Sequence, residues 1–269
     1  MSLTTDSAFT PAELLVCVAA RCLEENSSVL VGTGLPMIAA MLAQKTHAPH
    51  LLVMFEAGGV GPQVPSLPIS VGDSRTYHRA VMASTMHDIM AAASAGYIDF
   101  GFLGGAAIDS YGNLNTTVIG DWSRPRVRLP GSGGANDVAS FCWRTIVVMR
   151  NQSTRTFVEQ LPFITTPGFL SGPGARERAG LPAGTGPYRV ITQLGVYGFD
   201  ESSKGMMLVA KHVGVTIDEI QKSSEFEILI PSIVAETQPP TPDERRLLWE
   251  IDPTGLVLER GPKIRSRFG

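Results

Sequence analysis

Leu51-Leu52-Val53-Met54-Phe55-Glu56-Ala57-Gly58-Gly59 is an apolar run of strand length that ends in one carboxylate and a glycine pair. Upstream, Val29-Leu30-Val31 reads as a short strand, Gly32-Thr33-Gly34 as a turn, and Leu35 to Gln44 as a helix returning to that run. The stretch is a β-α-β unit, and its apolar strands predict a buried parallel sheet. Further out the alternation continues. Pro11 to Glu25 has helical spacing with proline early, and a helix is expected from about Tyr77 to Ala95. The apolar strand Ile98 to Leu103 then ends at Gly104-Gly105. Ala106 to Ile119 carries the turn Asp109-Ser110-Tyr111-Gly112-Asn113 and predicts a hairpin off the main sheet, and Thr145 to Met149 resumes the strand pattern. Residues 162–187 are rich in glycine and proline, an ordered loop or a flexible lid. Val190 to Val213 reads as strands about the turn Asp200 to Gly205, and Thr241-Pro242-Asp243-Glu244 as a helix start with capping-box spacing. The expected fold class is α/β: an open, mostly parallel sheet flanked by helices, in one domain over 1–269 with a C-terminal extension from about 232.

Composition narrows the function classes. A net charge of -3 with scattered lysine and arginine gives no basic field for nucleic acid. The charged fraction of 17% lies below the usual ~25%, which hints at a partner subunit. No uncharged apolar stretch approaches the roughly 20 residues of a membrane span, and no export signal is visible, so a soluble cytoplasmic protein is expected. Cys17, Cys22 and Cys142 form no CxxC pair and read as reduced, structural thiols. The five histidines offer no HExxH arrangement, and a GxSxG nucleophile elbow is missing. No metal site is expected, and Gly32-Thr33-Gly34 lacks the third glycine and the acidic residue of a dinucleotide fingerprint.

Two features carry chemistry. Glu56 follows a strand and precedes glycines, a position that sets a side chain at a sheet rim, although turn carboxylates also simply cap helices or pair with cations. Gly131-Ser132-Gly133-Gly134-Ala135-Asn136-Asp137 leads into a helix and offers bare amides for an oxyanion, although it lacks a P-loop lysine and such loops also make plain tight turns. Nucleophile and oxyanion hole together point to acyl chemistry.

Several ordered blocks extend this reading: Val31-Gly32-Thr33-Gly34-Leu35-Pro36, Ser70-Val71-Gly72-Asp73, Gly104 to Asp109, Tyr111 to Thr117, Gly131 to Asn136, and Gly172 to Arg178. In these the chain resembles the β subunit of family I CoA-transferases, most closely the glutaconate CoA-transferase branch, from Val31 to about Pro253. The resemblance implies the NagB/RpiA-like fold of that family, with Glu56 as the catalytic nucleophile passing through a glutamyl-CoA thioester. It implies oxyanion and thioester binding by Gly133, Gly134 and Ala135, and a substrate loop drawn from Gly32, Thr33, Gly34, Gly104 and Gly105. It further implies an α subunit that shares the site, an α2β2 or higher heteromer, CoA and acyl-CoA as substrates, and no resident cofactor. Ala57 departs from the serine or asparagine usual after that glutamate, and Asp137 stands where a small residue is usual. Relatives on the same scaffold are acyl-CoA decarboxylases and ring-opening hydrolases that lack the glutamate in its usual setting. C–C bond cleavage, thioester hydrolysis and a noncatalytic, acyl-CoA-binding role are the alternatives.

Overall fold

The two strands of the β-α-β unit are β1 (Ser28–Val31) and β2 (Leu52–Phe55), paired in parallel with Val31 beside Phe55 and joined through the helix Leu35–Lys45. A computed structural model describes residues 9–260, so both ends of the expected 1–269 domain lie outside the described residues. Strand β1 also pairs in parallel with Phe100–Leu103, that strand with Arg144–Val148, and the latter with Gly186–Ile191. Five strands therefore form a parallel centre. Both flanks reverse direction. Beyond β2, Gly59–Val60 and Met82–Ala83 add antiparallel, and beyond Gly186–Ile191 a hairpin of Gly195–Phe199 and Met206–Lys211 is followed by Ala235–Glu236. The sheet is mixed and mostly parallel, as the strand–helix alternation predicts.

In chain order the remaining labels are α1 (Pro11–Ala20), α2 (Leu35–Lys45), β3 (Gly59–Val60), β4 (Met82–Ala83), α3 (Met86–Ser94), β5 (Phe100–Leu103), β6 (Ala107–Ile108) and β7 (Leu114–Asn115). They continue with β8 (Val118–Gly120), β9 (Pro125–Arg128), α4 (Ala135–Phe141), β10 (Arg144–Val148), α5 (Ala175–Arg178), β11 (Gly186–Ile191), β12 (Gly195–Phe199), β13 (Met206–Lys211), α6 (Ile217–Lys222), β14 (Ala235–Glu236) and α7 (Pro242–Ile251).

Side chains alternate across the sheet and fill two cores. Val29, Val31, Val53, Phe55, Phe100 and Phe102 face the layer of α1, α2 and α7, whereas Leu30, Met54, Leu103 and Val147 face α3, α4 and α6. Gly101 sets the spacing on the second face. A Cβ there would lie 2.4 Å from Val138 and 3.1 Å from the Cys142 sulfur, so only glycine lets α4 approach the sheet so closely. The C-terminal extension returns to the first face, where Leu248 and Ile251 of α7 are buried and Thr241 closes the expected capping box with Glu244.

The helix expected from about Tyr77 to Ala95 is shorter and is preceded by other structure. The chain makes a 3-10 turn over Ser74–Tyr77, passes Arg79 at φ 50°, and extends as β4 before Thr85 caps α3. Pairing with β3 wins over helical spacing here, and β4 becomes the edge strand beyond β3. His78 and His87 therefore do not share a helix. The first helix likewise stops at Ala20, short of Glu25.

The stretch 162–187 runs as loop around the short helix α5 and enters β11 at Gly186, and it is tied down by buried polar groups. Arg176 is 3% exposed and donates to the carbonyls of Pro167, Gly168, Ala139 and Ser140 and to Thr185 Oγ1. Burial lowers its pKa to about 10, which leaves it charged at neutral pH. Because Ala139 and Ser140 belong to α4, one side chain links the loop to the helix that carries the glycine loop. Arg176→Met, which removes every donor and leaves buried carbonyls unpaired, is expected to cost on the order of 3 kcal/mol in urea unfolding.

A second buried polar group predicts a pH effect. His212 is 2% exposed, with Nδ1 2.7 Å from Thr237 Oγ1 and Nε2 2.8 Å from the Thr192 carbonyl. Burial lowers its pKa below the ordinary value of 6.5. The unfolded chain then takes up a proton more readily, so this stability is present above about pH 6.5 and is lost as pH falls below it. The melting midpoint is expected to drop between pH 7 and pH 5, and the drop should be smaller in His212→Gln.

Candidate active site

Phe55, at the end of β2, is buried against the α1/α2 layer, so the next residue points to the opposite face, where α3 and α4 lie. That residue is Glu56. Gly32 ends β1, Gly104 ends β5, and residues 132–135 lead into α4, so all meet at the C-terminal rim of the parallel strands. Ligands of open α/β sheets bind at this rim. Glu56, Gly32, Gly104, Ser132, Gly133, Gly134 and Ala135 line one cleft of about 220 Å³, floored by Leu30, Phe102, Leu103 and Val138.

Contact between the two sequence-predicted features is direct. A Cβ built on Gly134 would lie 2.8 Å from Glu56 Oε1, 3.0 Å from Glu56 Cδ and 2.7 Å from Met90 Cε. Gly134 has φ -79° and ψ 0°, an ordinary conformation, so glycine is needed here for space and not for backbone freedom. Its neighbours differ: Gly131 and Gly133 have φ 89° and 50°, values that L side chains rarely adopt. The loop is held from outside. Gly131 exchanges two hydrogen bonds with Thr116, its N–H donating to the Thr116 carbonyl and its carbonyl accepting from Thr116 Oγ1, both at 2.9 Å. Asn136 Nδ2 donates to the Thr165 carbonyl at 2.9 Å, and the Asn136 N–H donates to Ser132 Oγ at 3.0 Å.

Not every predicted donor is free. The Ala135 N–H donates to the Ser132 carbonyl at 3.0 Å, so it is already used inside the loop. Among the described residues the Gly134 N–H and the Glu56 carboxylate have no hydrogen-bond partner. Thr33, Gly34 and Gly105 stand outside the cleft lining. Gly34, at φ 84°, is the N-cap of α2, and a Cβ on Gly105 would press on Leu114. Ser132 of the predicted loop also lines the cleft, and two residues escaped the sequence reading. Met90 meets Gly134 from one turn into α3, and the Tyr77 hydroxyl donates to the Ala57 carbonyl. Met90 and Tyr77 reach the site through tertiary packing, which leaves no local sequence signal.

A wider cleft of about 1000 Å³ is lined by Ala106, Asn115, Val118, Arg126 and Arg155 among others. The thiols take no part. Burial raises Cys17 and Cys142 to about 12 and Cys22 to about 11, so all three remain protonated near neutral pH. Among the described residues no three His, Cys, Asp or Glu side chains are grouped as metal ligands, and no described helix is long and apolar enough to cross a membrane.

Comparison with known proteins agrees with this geometry. The family model described as Coenzyme A transferase matches residues 15–223. The chain is 37% identical to the B subunit of 3-oxoadipate CoA-transferase from Pseudomonas knackmussii, over 91% of this chain and 94% of that one. It is 34% identical to the B subunit of glutaconate CoA-transferase from Acidaminococcus fermentans, over 93% and 96%. The crystal structure of the latter enzyme superposes with a TM-score of 0.88, covering 95% of this chain and 99% of that chain. A decarboxylase, AibA/AibB, is more distant, at 26% identity and a TM-score of 0.79 over 93% and 97%. With the rim cleft, the glutamate and the glycine loop in place, these likenesses show that the chain belongs to the coenzyme A transferase family.

Proposed function

We propose that this chain is the glutamate-bearing β subunit of a heteromeric CoA-transferase that moves CoA between an acyl-CoA and a small dicarboxylic acid. The observation that carries the reading is the Glu56 carboxylate set against Gly134 in one cleft at the strand ends. A carboxylate in reach of an acyl carbonyl is a nucleophile, and the adjacent free amide is a donor for the charge that develops.

The steps follow from that pair. A Glu56 oxygen attacks the thioester carbonyl carbon, the C–S bond breaks, and an acyl-glutamyl anhydride and CoA thiolate result. The thiolate attacks the glutamyl carbonyl carbon and expels the donor's carboxylate, leaving a glutamyl-CoA thioester. The acceptor carboxylate attacks that thioester, forming a second anhydride and releasing thiolate. Thiolate then attacks the acceptor's acyl carbon and returns Glu56 as carboxylate. Each addition puts negative charge on a carbonyl oxygen, to which the Gly134 N–H is free to donate a hydrogen bond.

The dicarboxylate class is supported by the substrates for which the two similar transferases are named, 3-oxoadipate and glutaconate. The cleft beside Glu56 is lined by no cation, so the second carboxylate takes its countercharge from beyond these residues. An α subunit completing the pocket supplies that wall, in an α2β2 or higher assembly. The relative AibA/AibB carries a name that pairs two subunits. CoA and acyl-CoA enter as substrates, with no resident cofactor, and three free cysteines suit a cytoplasmic enzyme. Initial-rate kinetics of the assembled complex test the reading: parallel double-reciprocal lines for acyl-CoA against dicarboxylate are expected of covalent transfer. Intersecting lines, or acyl-CoA consumed without an acceptor, contradict it and favour hydrolysis or decarboxylation.

A further inference from the structure

The motif Ser70–Asp73 stands outside the Glu56 cleft, and the chemistry above leaves it without a role. Its local work is to build a perch. Asp73 accepts from the Arg75 N–H at 3.0 Å and from Arg75 Nε at 2.9 Å, which starts the 3-10 turn Ser74–Tyr77. Arg75 Nη1 donates onward to the Leu67 carbonyl at 3.0 Å, and fully buried Thr76 donates from Oγ1 to the Asp73 carbonyl at 2.7 Å. The turn ends on Tyr77, whose hydroxyl donates to the Ala57 carbonyl.

Ala57 directly follows Glu56, and its side chain has no hydrogen-bonding atom. The next two residues are confined by backbone. A Cβ on Gly58 would lie 2.2 Å from the Ser84 carbonyl oxygen, and one on Gly59 would lie 2.0 Å from that of Thr76. The bend that aims Glu56 is closed by the Gly58 N–H on the Phe55 carbonyl at 2.9 Å and tied to Ser84, whose N–H donates to the Gly58 carbonyl at 3.0 Å, and the Ala57 carbonyl between them is held by the Tyr77 hydroxyl.

We propose that Tyr77 is a positioning residue for Glu56: its hydroxyl fixes the bend through the Ala57 carbonyl and so holds the carboxylate against Gly134. It touches no substrate and moves no proton. The inference rests on Glu56 as nucleophile. Misplacing a reacting group by about 1 Å can cost about 100-fold in rate, so freeing the carbonyl side of the Ala57–Gly58 peptide is enough to matter even while its N–H stays on Phe55. A tyrosine that only packed the loop would affect stability and leave the rate of a folded variant alone.

The test uses wild type, Tyr77→Phe, Glu56→Asp and the double variant, each assembled with its α subunit. Tyr77→Phe is expected to melt like wild type, to keep KM for acyl-CoA, and to lose kcat by about tenfold to 100-fold. Borohydride-trapped adduct at Glu56 should appear correspondingly more slowly. In the Glu56→Asp background, where the carboxylate is already withdrawn, removing the hydroxyl should cost about twofold or less, because the two changes act through one geometry. Wild-type kcat in Tyr77→Phe overturns the proposal, as does an equal loss in both backgrounds. Should the phenylalanine variant fail to fold, Asp73→Asn loosens the perch while keeping the hydroxyl. The same fall in kcat at constant KM is then expected, and an unchanged kcat overturns the proposal. A wild-type complex that forms no adduct at Glu56 overturns the nucleophile assignment itself, a result distinct from a normal wild-type adduct beside a fully active Tyr77 variant.

Discussion

Glu56→Gln is expected to lower turnover of the assembled complex by at least about 10³-fold while leaving its fold and acyl-CoA binding intact. The amide keeps the volume of the carboxylate but carries no negative charge to attack a thioester. Glu56 is half-buried at the rim and, among the described residues, takes part in no hydrogen bond or ion pair, so its replacement removes no structural contact of the carboxylate. A melting curve that overlays wild type, beside the lost turnover, separates chemistry from folding. Glu56→Asp should fall between the two, since it retains charge but shortens the reach by one methylene.

Gly134→Ala is the second large effect, and here the cause is space. The conformation at φ -79° suits alanine, so the backbone has no objection. The added methyl, however, would sit 2.8 Å from Glu56 Oε1 and 2.7 Å from Met90 Cε, and one of them must move. Displacing the carboxylate from the free amide is expected to cost on the order of 100-fold in kcat, measured at saturating acyl-CoA, with little change in melting midpoint. Gly133→Ala is the informative contrast. Its Cβ would meet nothing within 4 Å, but φ 50° makes alanine strained, so the expected penalty is stability of about 1–2 kcal/mol. One residue apart, the two glycines are needed for different reasons, and the two readouts should move in opposite proportion.

In the parallel centre β1, β2 and β5 were legible because each is a short, mostly buried run that ends at or near glycine, whereas β11, with Pro187 and Arg189 within it, begins inside the stretch read as loop. Glu56 and the loop 131–137 stood out for the same reason: an isolated carboxylate after such a run, and glycines where a helix begins. What joins them was not legible. That Gly134 lies against Glu56 depends on Gly101 letting α4 onto the sheet and on Arg176 holding the end of α4, contacts between distant parts of the chain. The stretch 77–95 misled because helical spacing is a local signal, whereas β4 exists through pairing with β3. Loss of the Ala135 amide to the Ser132 carbonyl is likewise decided by backbone geometry, and the reach of the Tyr77 hydroxyl to Ala57 by tertiary packing. Met90 gave no signal at all, being one methionine among 10.

Everything proposed for the site requires that Glu56 carry CoA covalently. Mass spectrometry of the assembled complex, incubated with glutaryl-, glutaconyl- or acetyl-CoA and then treated with borohydride, measures this directly. The expected product is a CoA thioester on the peptide containing Glu56, converted by borohydride to the corresponding alcohol and absent from Glu56→Ala, with the donors that label it defining the acyl class. Consumption of acyl-CoA with no adduct at Glu56 would contradict covalent transfer.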